Sequence, residues 1–365
     1  MTNHSRSLAS SLSRSALVVL IALSAFGTQA QTSLTLRLSP TVSVSGPVGT
    51  WQQVQYSDDF NTPTNWTFLS NVFLDASPKL VFDTTNAPKR FYRSIQLTNV
   101  ADTNLVWIPP GTFLMGSPSN EVGRASNEGP QTLVTLTYGF FMGRHEVTET
   151  EYLSVTGSNP GQHDGVTNHL LIPITGATWY DASNYCALLT QRELAAFRIP
   201  PGWAYRVPTE TEWEYACRAG TSTAFHYGNA LYANTALGSL ANFDGRSPYP
   251  PASDPTGIWN TYPIVPGTYA PNAFGLYDMH GNVAEWCLDT ALVSGAFPPY
   301  PGGSVTNPPA AKGTATIYAI IRGGHYANDG ATCRSARRML FQAVGPAGSF
   351  GPFGFRVVLA PIGVP

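Results

Sequence analysis

Residues 322–338 read RGGHYANDGATCRSARR, a stretch in which a glycine pair precedes a cysteine followed by three arginines. The glycine pair allows a turn or a close backbone approach that side chains would block. Guanidinium groups near a thiol favour the thiolate, so we expect a lowered pKa at Cys333. The alternatives are a small buried side chain or half of a disulfide, with arginines that serve as structural ion-pair partners. The arginines are Arg334, Arg337 and Arg338.

The N-terminus has the pattern of a secretory signal peptide over residues 1–30. Arg6 and Arg14 lie in a Ser-rich opening, an apolar run follows from Ala16 to Phe26, and small residues lead to Ala30. We expect cleavage after Ala30 and a secreted or periplasmic protein. The apolar run is short for a transmembrane helix, and no later segment is long enough to span a bilayer.

The composition is that of a globular chain with many ordered turns. Charged residues make up 12% and hydrophobic residues 43%, with 34 glycines and 30 prolines. The formal net charge is −2, which does not favour binding to nucleic acid or anionic lipid. The cysteines are Cys186, Cys217, Cys287 and Cys333. They allow three disulfide pairings that sequence cannot separate, and the lack of a CxxC motif makes a zinc site improbable.

Residues 31–99 are predicted to form a small β-rich module without a catalytic cluster. Segments of alternating or β-branched and aromatic residues are separated by prolines and glycines. A stalk or spacer role is favoured for this module. The predicted strands are 33–38, 41–44, 51–56, 65–69, 79–82 and 90–93.

A second unit begins near Asn104, and two of its helices start with the same motif. Thr148 and Glu151 form one capping box, and Thr209 and Glu212 form the other after Pro208. Gly157 and Gly220 are predicted to end these helices. The acidic residues of both motifs therefore have a structural role. A third helix is predicted over 178–193, and Cys186 and Cys217 are assigned to core faces, with a bond between them left open.

Residues 225–281 are rich in Gly, Pro, Asn and Tyr and show little periodicity. A loop region of this length in a compact domain needs specific contacts to hold it, and its aromatic content favours an ordered structure. A bound cation is one way to provide such contacts, because carbonyl and carboxylate oxygens can converge on it.

Several motifs in the second unit occur in an order that resembles the formylglycine-generating enzymes, also called sulfatase-modifying factors, over residues 104–360. The resemblance implies an α+β, loop-rich fold related to C-type lectin-like domains, preceded here by the small β module. Active members of the family oxidise a cysteine of a protein substrate, a sulfatase, to formylglycine with oxygen and a copper(I) ion held by two cysteines. The motifs are FLMGS, HEVTETEY, YRVPTETEWEYACRAG, NAFGLYDMHGNVAEW, IRGGHY, CRSARR and FGFRVV.

The resemblance places only one of the two copper-binding cysteines in this chain. Cys333 falls on the second position, whereas the first falls on Asn328. Because Cu⁺ prefers sulfur ligands, one thiolate is a poor substitute for two. His325 replaces the usual serine after the glycine pair, and Pro352 replaces an asparagine. A metal site formed by Cys333 and His325 is a minority hypothesis.

The resemblance also implies Ca²⁺ sites. The first takes carboxylate oxygens from Asp278 and Glu285 and carbonyl oxygens from Gly281 and Val283, and such hard oxygens suit the ion. A second site would use Asn242 and the carbonyl of Phe243.

The family disulfides of Cys186 and Cys217 are lost, because their partners fall on Val357 and Arg338. Two functions follow as hypotheses. One is an exported oxidase of cysteinyl peptides or proteins with Cys333 as the reactive thiol. The other is a non-catalytic binding or structural module on the same scaffold, which the absent thiol at position 328 favours.

Overall fold

The computed structural model describes most of the chain after residue 40. The signal peptide and the first predicted strand, 33–38, lie outside the described residues. The described ranges are 41–45, 50–57, 67–74, 78–82, 91–96, 104–158, 169–196, 198–199, 202–232, 240–251, 257–291, 296–313, 318–343 and 351–364.

The predicted strands of the small β module that fall on described residues are confirmed within about three residues, except that the strand predicted at 65–69 is observed at Thr67–Leu74. They form a two-stranded sheet of order β1-β4 and a three-stranded sheet of order β3-β2-β5, all antiparallel. Buried aliphatic side chains from four of the strands, among them Val54 and Leu74, form one small core. The strands are β1 (Thr41–Val44), β2 (Thr50–Ser57), β3 (Thr67–Leu74), β4 (Lys79–Phe82) and β5 (Phe91–Gln96).

The rest of the chain has three α-helices and eleven short strands among the described residues, joined by long loops. The strands are β6 (Leu105–Ile108), β7 (Gly111–Met115), β8 (Thr132–Leu136), β9 (Phe140–Gly143), β10 (Trp203–Arg206), β11 (Ala284–Thr290), β12 (Gly303–Thr306), β13 (Tyr318–Arg322), β14 (Met339–Gln342), β15 (Phe353–Gly354) and β16 (Val358–Pro361). The helices are α1 (Glu149–Thr156), α2 (Trp179–Ala195) and α3 (Glu210–Arg218). Two 3₁₀ turns, Ser126–Glu128 and His169–Leu171, complete the elements.

Three sheets organise this part of the chain. Their strand orders are β10-β16-β9-β6, β14-β13-β11-β15 and β12-β8-β7. In the second sheet β13 lies antiparallel to β11, so that Glu285 is opposite Arg322. This register brings the predicted calcium loop, which leads into β11, next to the glycine pair that follows β13. The α+β, loop-rich fold class is confirmed.

The N-termini of α1 and α3 match the prediction, and the hydrogen bonds of their capping boxes explain why. Thr148 accepts a hydrogen bond from the N–H of Glu151, whose carboxylate accepts one from the N–H of Thr148 at 2.8 Å. Thr209 and Glu212 repeat this box, with the N–H of Thr209 at 2.9 Å from the carboxylate. Each box satisfies backbone donors that a helix leaves unpaired at its N-terminus.

The helix ends match less closely. Gly157 ends α1 in the left-handed region at φ 73°, as predicted. Helix α3 ends one residue earlier than predicted, because Ala219, and not Gly220, caps it at φ 45°. The third predicted helix, capped by Thr178, extends to Ala195.

All four cysteines are buried and none is paired. Cys186 packs in a core cluster with Tyr185 and Phe355, and Cys217 packs in another with Trp213. The core assignment of both residues is therefore confirmed, and the bond left open between them is absent. Among the described helices, none combines the length and the apolar character that a bilayer crossing requires.

Candidate functional site

The glycine pair forms a tight turn against Cys333, as the sequence predicts. Gly323 and Gly324 adopt φ values of 88° and 70°, which side chains rarely allow. A Cβ on Gly324 would lie 2.8 Å from the sulfur of Cys333, and one on Gly323 would lie 3.2 Å from the ring of Trp213. The turn therefore covers the thiol directly, and a larger residue at position 324 would displace it.

Cys333 has no solvent exposure and packs in a cluster of apolar and aromatic side chains. We call this group the Cys333 cluster. Burial raises the pKa of the Cys333 thiol. The predicted lowering of this pKa is wrong, because desolvation of the thiolate outweighs any effect of the neighbouring arginines. The cluster contains Ala224, Phe225, Leu231, Ala241, Phe243, Tyr249 and Cys333.

All three arginines near Cys333 pair with buried carboxylates, Arg337 with Glu128 at 3.8 Å, which explains why they do not activate the thiol. Arg334 pairs with Glu121 and, at 2.7 Å, with Glu128. Arg338 pairs with Glu210 at 2.6 Å. The side chains of Arg334 and Arg338 are 0% and 1% exposed. These arginines are therefore structural ion-pair partners, which was the alternative that the sequence left open.

Glu210 belongs to a buried ion-pair network near the turn. Its carboxylate binds Arg338 and Arg322, and Arg322 also binds Glu214 at 2.9 Å. Burial opposes ionisation of Glu210, but the two guanidinium groups outweigh it and hold the pKa of this carboxyl below its usual range. The helix start at Thr209 is visible in the sequence, but this network is not, because the partners of Glu210 lie more than one hundred residues away.

His280 connects Cys333 to a neighbouring loop through hydrogen bonds, a role that no pattern in the sequence indicates. Its Nδ1 donates to the carbonyl of Cys333 at 2.8 Å, and its Nε2 accepts from the N–H of His226 at 3.2 Å. Burial lowers the pKa of His280 well below its usual value and lowers that of His226 to about 4. Both imidazoles therefore stay neutral at physiological pH, and hydrogen bonds of His280 link Cys333 to His226.

Asn328 lies at the position of the first family cysteine, and His325 follows the glycine pair. Both form hydrogen bonds that stabilise the turn. Asn328 Oδ1 accepts from the N–H of His325 at 3.0 Å, and His325 Nδ1 accepts from the N–H of Ala327 at 3.2 Å. Burial lowers the pKa of His325 to about 4. A copper ion does not fit this arrangement, because Asn328 supplies no thiolate and the thiol of Cys333 favours its protonated form. Within the described ranges, no group of three or more His, Cys, Asp and Glu side chains is arranged to hold a metal ion.

Both carboxylates of the predicted first calcium site have protein partners in the structure, and the calcium assignment stays a prediction. Both oxygens of Glu285 are bound by Arg356 at 2.6 Å, and one of them also accepts from the indole of Trp213 at 2.8 Å. A guanidinium group in this position takes up the negative charge that a calcium ion would need. Asp278 uses one oxygen to accept from the N–H of Gly267 at 2.6 Å.

The remaining predicted calcium residues are joined by internal hydrogen bonds. The N–H of Gly281 donates to the carbonyl of Gly323 at 2.8 Å, which links the loop to the glycine turn. The carbonyl of Asn242 accepts a hydrogen bond from the N–H of Asn282 at 2.7 Å. The side-chain oxygen of Asn242 accepts one from the side-chain amide of Asn260 at 3.0 Å. Val283 is fully buried, and Phe243 contributes its ring to the Cys333 cluster. Backbone and amide contacts hold this region.

Two buried carboxyl groups in the same region carry oxygens with no hydrogen-bond partner in the described part of the chain, Glu146 Oε2 and Asp278 Oδ1. The other oxygen of Glu146 accepts from Asn282 at 3.2 Å. Burial, and after it the charge of Asp278, raises the pKa of Glu146 well above its usual range. Burial likewise raises the pKa of Asp278. No periodicity in the sequence marks Glu146 as a buried acid.

Comparison with known proteins gives a consistent result. The sequence profile of the sulfatase-modifying factor enzyme 1-like domain matches residues 94–361. The formylglycine-generating enzyme of Mus musculus is 27% identical over 246 residues, which cover 52% of this chain and 59% of the relative. The chaperone protein LppX of Paenibacillus barcinonensis is 30% identical over 192 residues, covering 43% of this chain and 64% of the relative. The chain thus spans less than two thirds of either relative.

Among solved structures, that of PvdO from Pseudomonas aeruginosa is similar with a TM-score of 0.53 at 29% identity. The similarity covers 70% of this chain and 93% of that chain. It supports the same fold assignment.

Proposed function

We propose that this chain, which belongs to the sulfatase-modifying factor enzyme 1-like family, is an exported, non-catalytic binding module on the scaffold of that family. Its partner is a protein or peptide, and nucleic acid is disfavoured by the net charge of −2. Export rests on the signal-peptide pattern of residues 1–30. The relatives carry names as different as an oxidising enzyme and a chaperone, so membership in the family does not by itself imply cysteine oxidation.

The observation that carries the proposal is the state of the Cys333 thiol. It has no solvent exposure, Gly324 covers it, and burial raises its pKa. Cysteine chemistry and tight copper binding both require the thiolate. The second thiol of the family site is replaced by Asn328, whose side chain caps the turn. Both requirements of the oxidation are therefore missing from one site.

The alternative is an oxidase that keeps activity with Cys333 as its thiol. One experiment separates the two: the purified chain without residues 1–30 is incubated with Cu⁺, oxygen and a Cys-X-Pro-X-Arg peptide. We expect no mass loss on the peptide and no copper retained after gel filtration. An active family enzyme serves as the positive control. Mass loss at the peptide cysteine that disappears in Cys333→Ala would contradict the proposal.

A further inference from the structure

A cleft of about 300 Å³ opens beside helices α1 and α2, where neither the family resemblance nor the turn at Gly324 assigns a role. Its volume is at the lower end of the range found for small-molecule sites. The lining comes from five elements, β6, β9, β10 and the two helices, and from loop residues that include His145 and Val357. The lining includes Val147, Tyr185, Leu189, Arg192, Glu193 and Arg198.

The floor of the cleft is apolar and aromatic. Val147, Leu189 and the rings of Tyr185 and Tyr205 are buried members of a core cluster, so that their positions are fixed by packing. Tyr185 stacks on Tyr152 with ring centroids 5.5 Å apart. A preformed apolar floor of this kind suits the hydrocarbon or aromatic part of a small ligand.

The rim carries two arginines that share one carboxylate. Arg198 binds Glu193 through Nε and Nη2, the latter at 2.7 Å, and Arg192 binds it through Nε at 3.0 Å. Hydrogen bonds from Arg198, ahead of the effect of burial, hold the pKa of Glu193 below its usual range. Two cations against one anion leave a surplus of one positive charge at this end.

Several donors of these arginines remain available to a ligand. Nη1 of Arg198 and Nη2 of Arg192 make no hydrogen bond to any residue in the described ranges, and the two side chains are 40% and 44% exposed. The other acid of the lining, Glu151, already accepts from Thr148 and from Asn104 at 2.8 Å. It also lies in the first turn of α1, where the helix N-terminus offsets negative charge.

We infer that this cleft binds a small organic carboxylate with an apolar or aromatic body. The body lies on the floor formed by Val147, Leu189 and the tyrosines, and the carboxylate accepts hydrogen bonds from Arg198 and Arg192. Guanidinium groups favour carboxylates through paired N–H donors, which gives the head group its selectivity. The inference goes beyond the proposed binding of a protein or peptide, and it does not depend on the reactivity of Cys333.

The test uses three probes of nearly equal shape, 4-phenylbutyrate, 4-phenylbutanol and 4-phenylbutylamine, titrated calorimetrically into the full mature chain. We expect measurable binding of the acid and at least tenfold weaker binding of the alcohol and the amine. Equal binding of the acid and the alcohol, or no binding of the acid, would overturn the inference. Either result leaves the oxidation test at Cys333 unaffected, so failure of the cleft and failure of the proposed function are distinguishable.

Three variants test whether 4-phenylbutyrate binds in this cleft, because each has an expected direction of change in affinity. Arg198→Gln should weaken 4-phenylbutyrate by fivefold or more, because it removes charge and paired donors. Glu193→Gln should tighten it severalfold, since it removes the anion that competes for the same guanidinium groups. Arg246→Gln, which alters an exposed arginine paired with Asp244 outside the cleft lining, is the matched control and should change nothing. Equal affinities for Arg198→Gln and the wild type, with both folded by circular dichroism, would refute the assignment.

Discussion

The arginines near Cys333 and the arginines of the α1–α2 cleft differ in how their hydrogen-bond donors are used. Arg334 and Arg338 are almost completely buried, and Glu121, Glu128 and Glu210 take up their charge. Arg192 and Arg198 are nearly half exposed and share Glu193.

The lesson is that a run of arginines beside a cysteine does not by itself create an electropositive site. The charges must lack internal partners, and the thiol must be solvated enough to ionise. Near Cys333 neither condition holds. The surplus of positive charge lies at the rim of the cleft, where Arg192 and Arg198 share Glu193 and the sequence shows only two arginines six residues apart.

The largest expected effect comes from breaking the buried network. Glu210→Ala should destabilise the chain by about 4 kcal/mol or more, because it leaves Arg322 and Arg338 buried without their shared carboxylate. Urea denaturation followed by circular dichroism measures this. Glu210→Gln, which keeps the shape and removes the charge, should give a smaller but still large loss. A loss under 1 kcal/mol in both variants would show that the pairs near Cys333 are as weak as surface pairs.

The next effect concerns the glycine that covers the thiol. Gly324→Ala should cost about 2–3 kcal/mol, since it combines left-handed backbone strain with a contact of 2.8 Å to the sulfur of Cys333. Gly220→Ala is the matched control: Gly220 has φ 91° and nothing within 4 Å of the added Cβ, so only the strain remains. In the double variant with Cys333→Ala, part of the loss at Gly324 should be recovered. Equal losses at positions 220 and 324 would contradict close packing on the thiol.

A pH experiment tests the desolvated surroundings of Cys333. Burial lowers the pKa of His226 to about 4, below its unfolded value near 6.5. The unfolded chain therefore takes up a proton first as the pH falls, and the stabilising contribution present above pH 6.5 is lost toward pH 4. We expect His226→Gln to reduce the loss of stability between pH 7 and pH 4 by about 2 kcal/mol. Parallel stability curves for the variant and the wild type would show that this histidine is solvated in the folded chain.

The smallest effect is expected in the cleft. Arg192→Gln and Arg198→Gln should each change the free energy of unfolding by less than about 1 kcal/mol, because exposed ion pairs are weak. Thermal denaturation checks this at low and high salt. A destabilisation comparable to that of Glu210→Ala would mean that the cleft arginines are structural, as those near Cys333 are.

Local signals in the sequence predicted local structure well. The capping boxes at Thr148 and Thr209 and the strands 41–44 and 79–82 needed only neighbouring residues, and the structure confirms them. The tight turn at Gly323 and Gly324 was also predictable, because only glycine tolerates such a close approach.

The chemistry of the site depends on contacts between residues that lie far apart in the sequence, and the sequence alone does not reveal such contacts. Arg334 lies 206 residues from Glu128, and Arg338 lies 128 residues from Glu210. The carboxylate of Glu285 matches the family motif, but its binding to Arg356 became visible only in the fold. Residue type and spacing indicate which groups are present, whereas the partners decide whether they are available.

The accessibility of the Cys333 thiol decides between a buried structural cysteine and a reactive one. The native chain is treated with iodoacetamide at neutral pH, and labelling of each cysteine is followed by peptide mass spectrometry with a sample in denaturant as the reference. We expect Cys333 to stay unlabelled in the native chain and to react fully once the chain is unfolded. Rapid labelling of Cys333 in the folded protein would contradict it and would favour the reactive thiol of an oxidase.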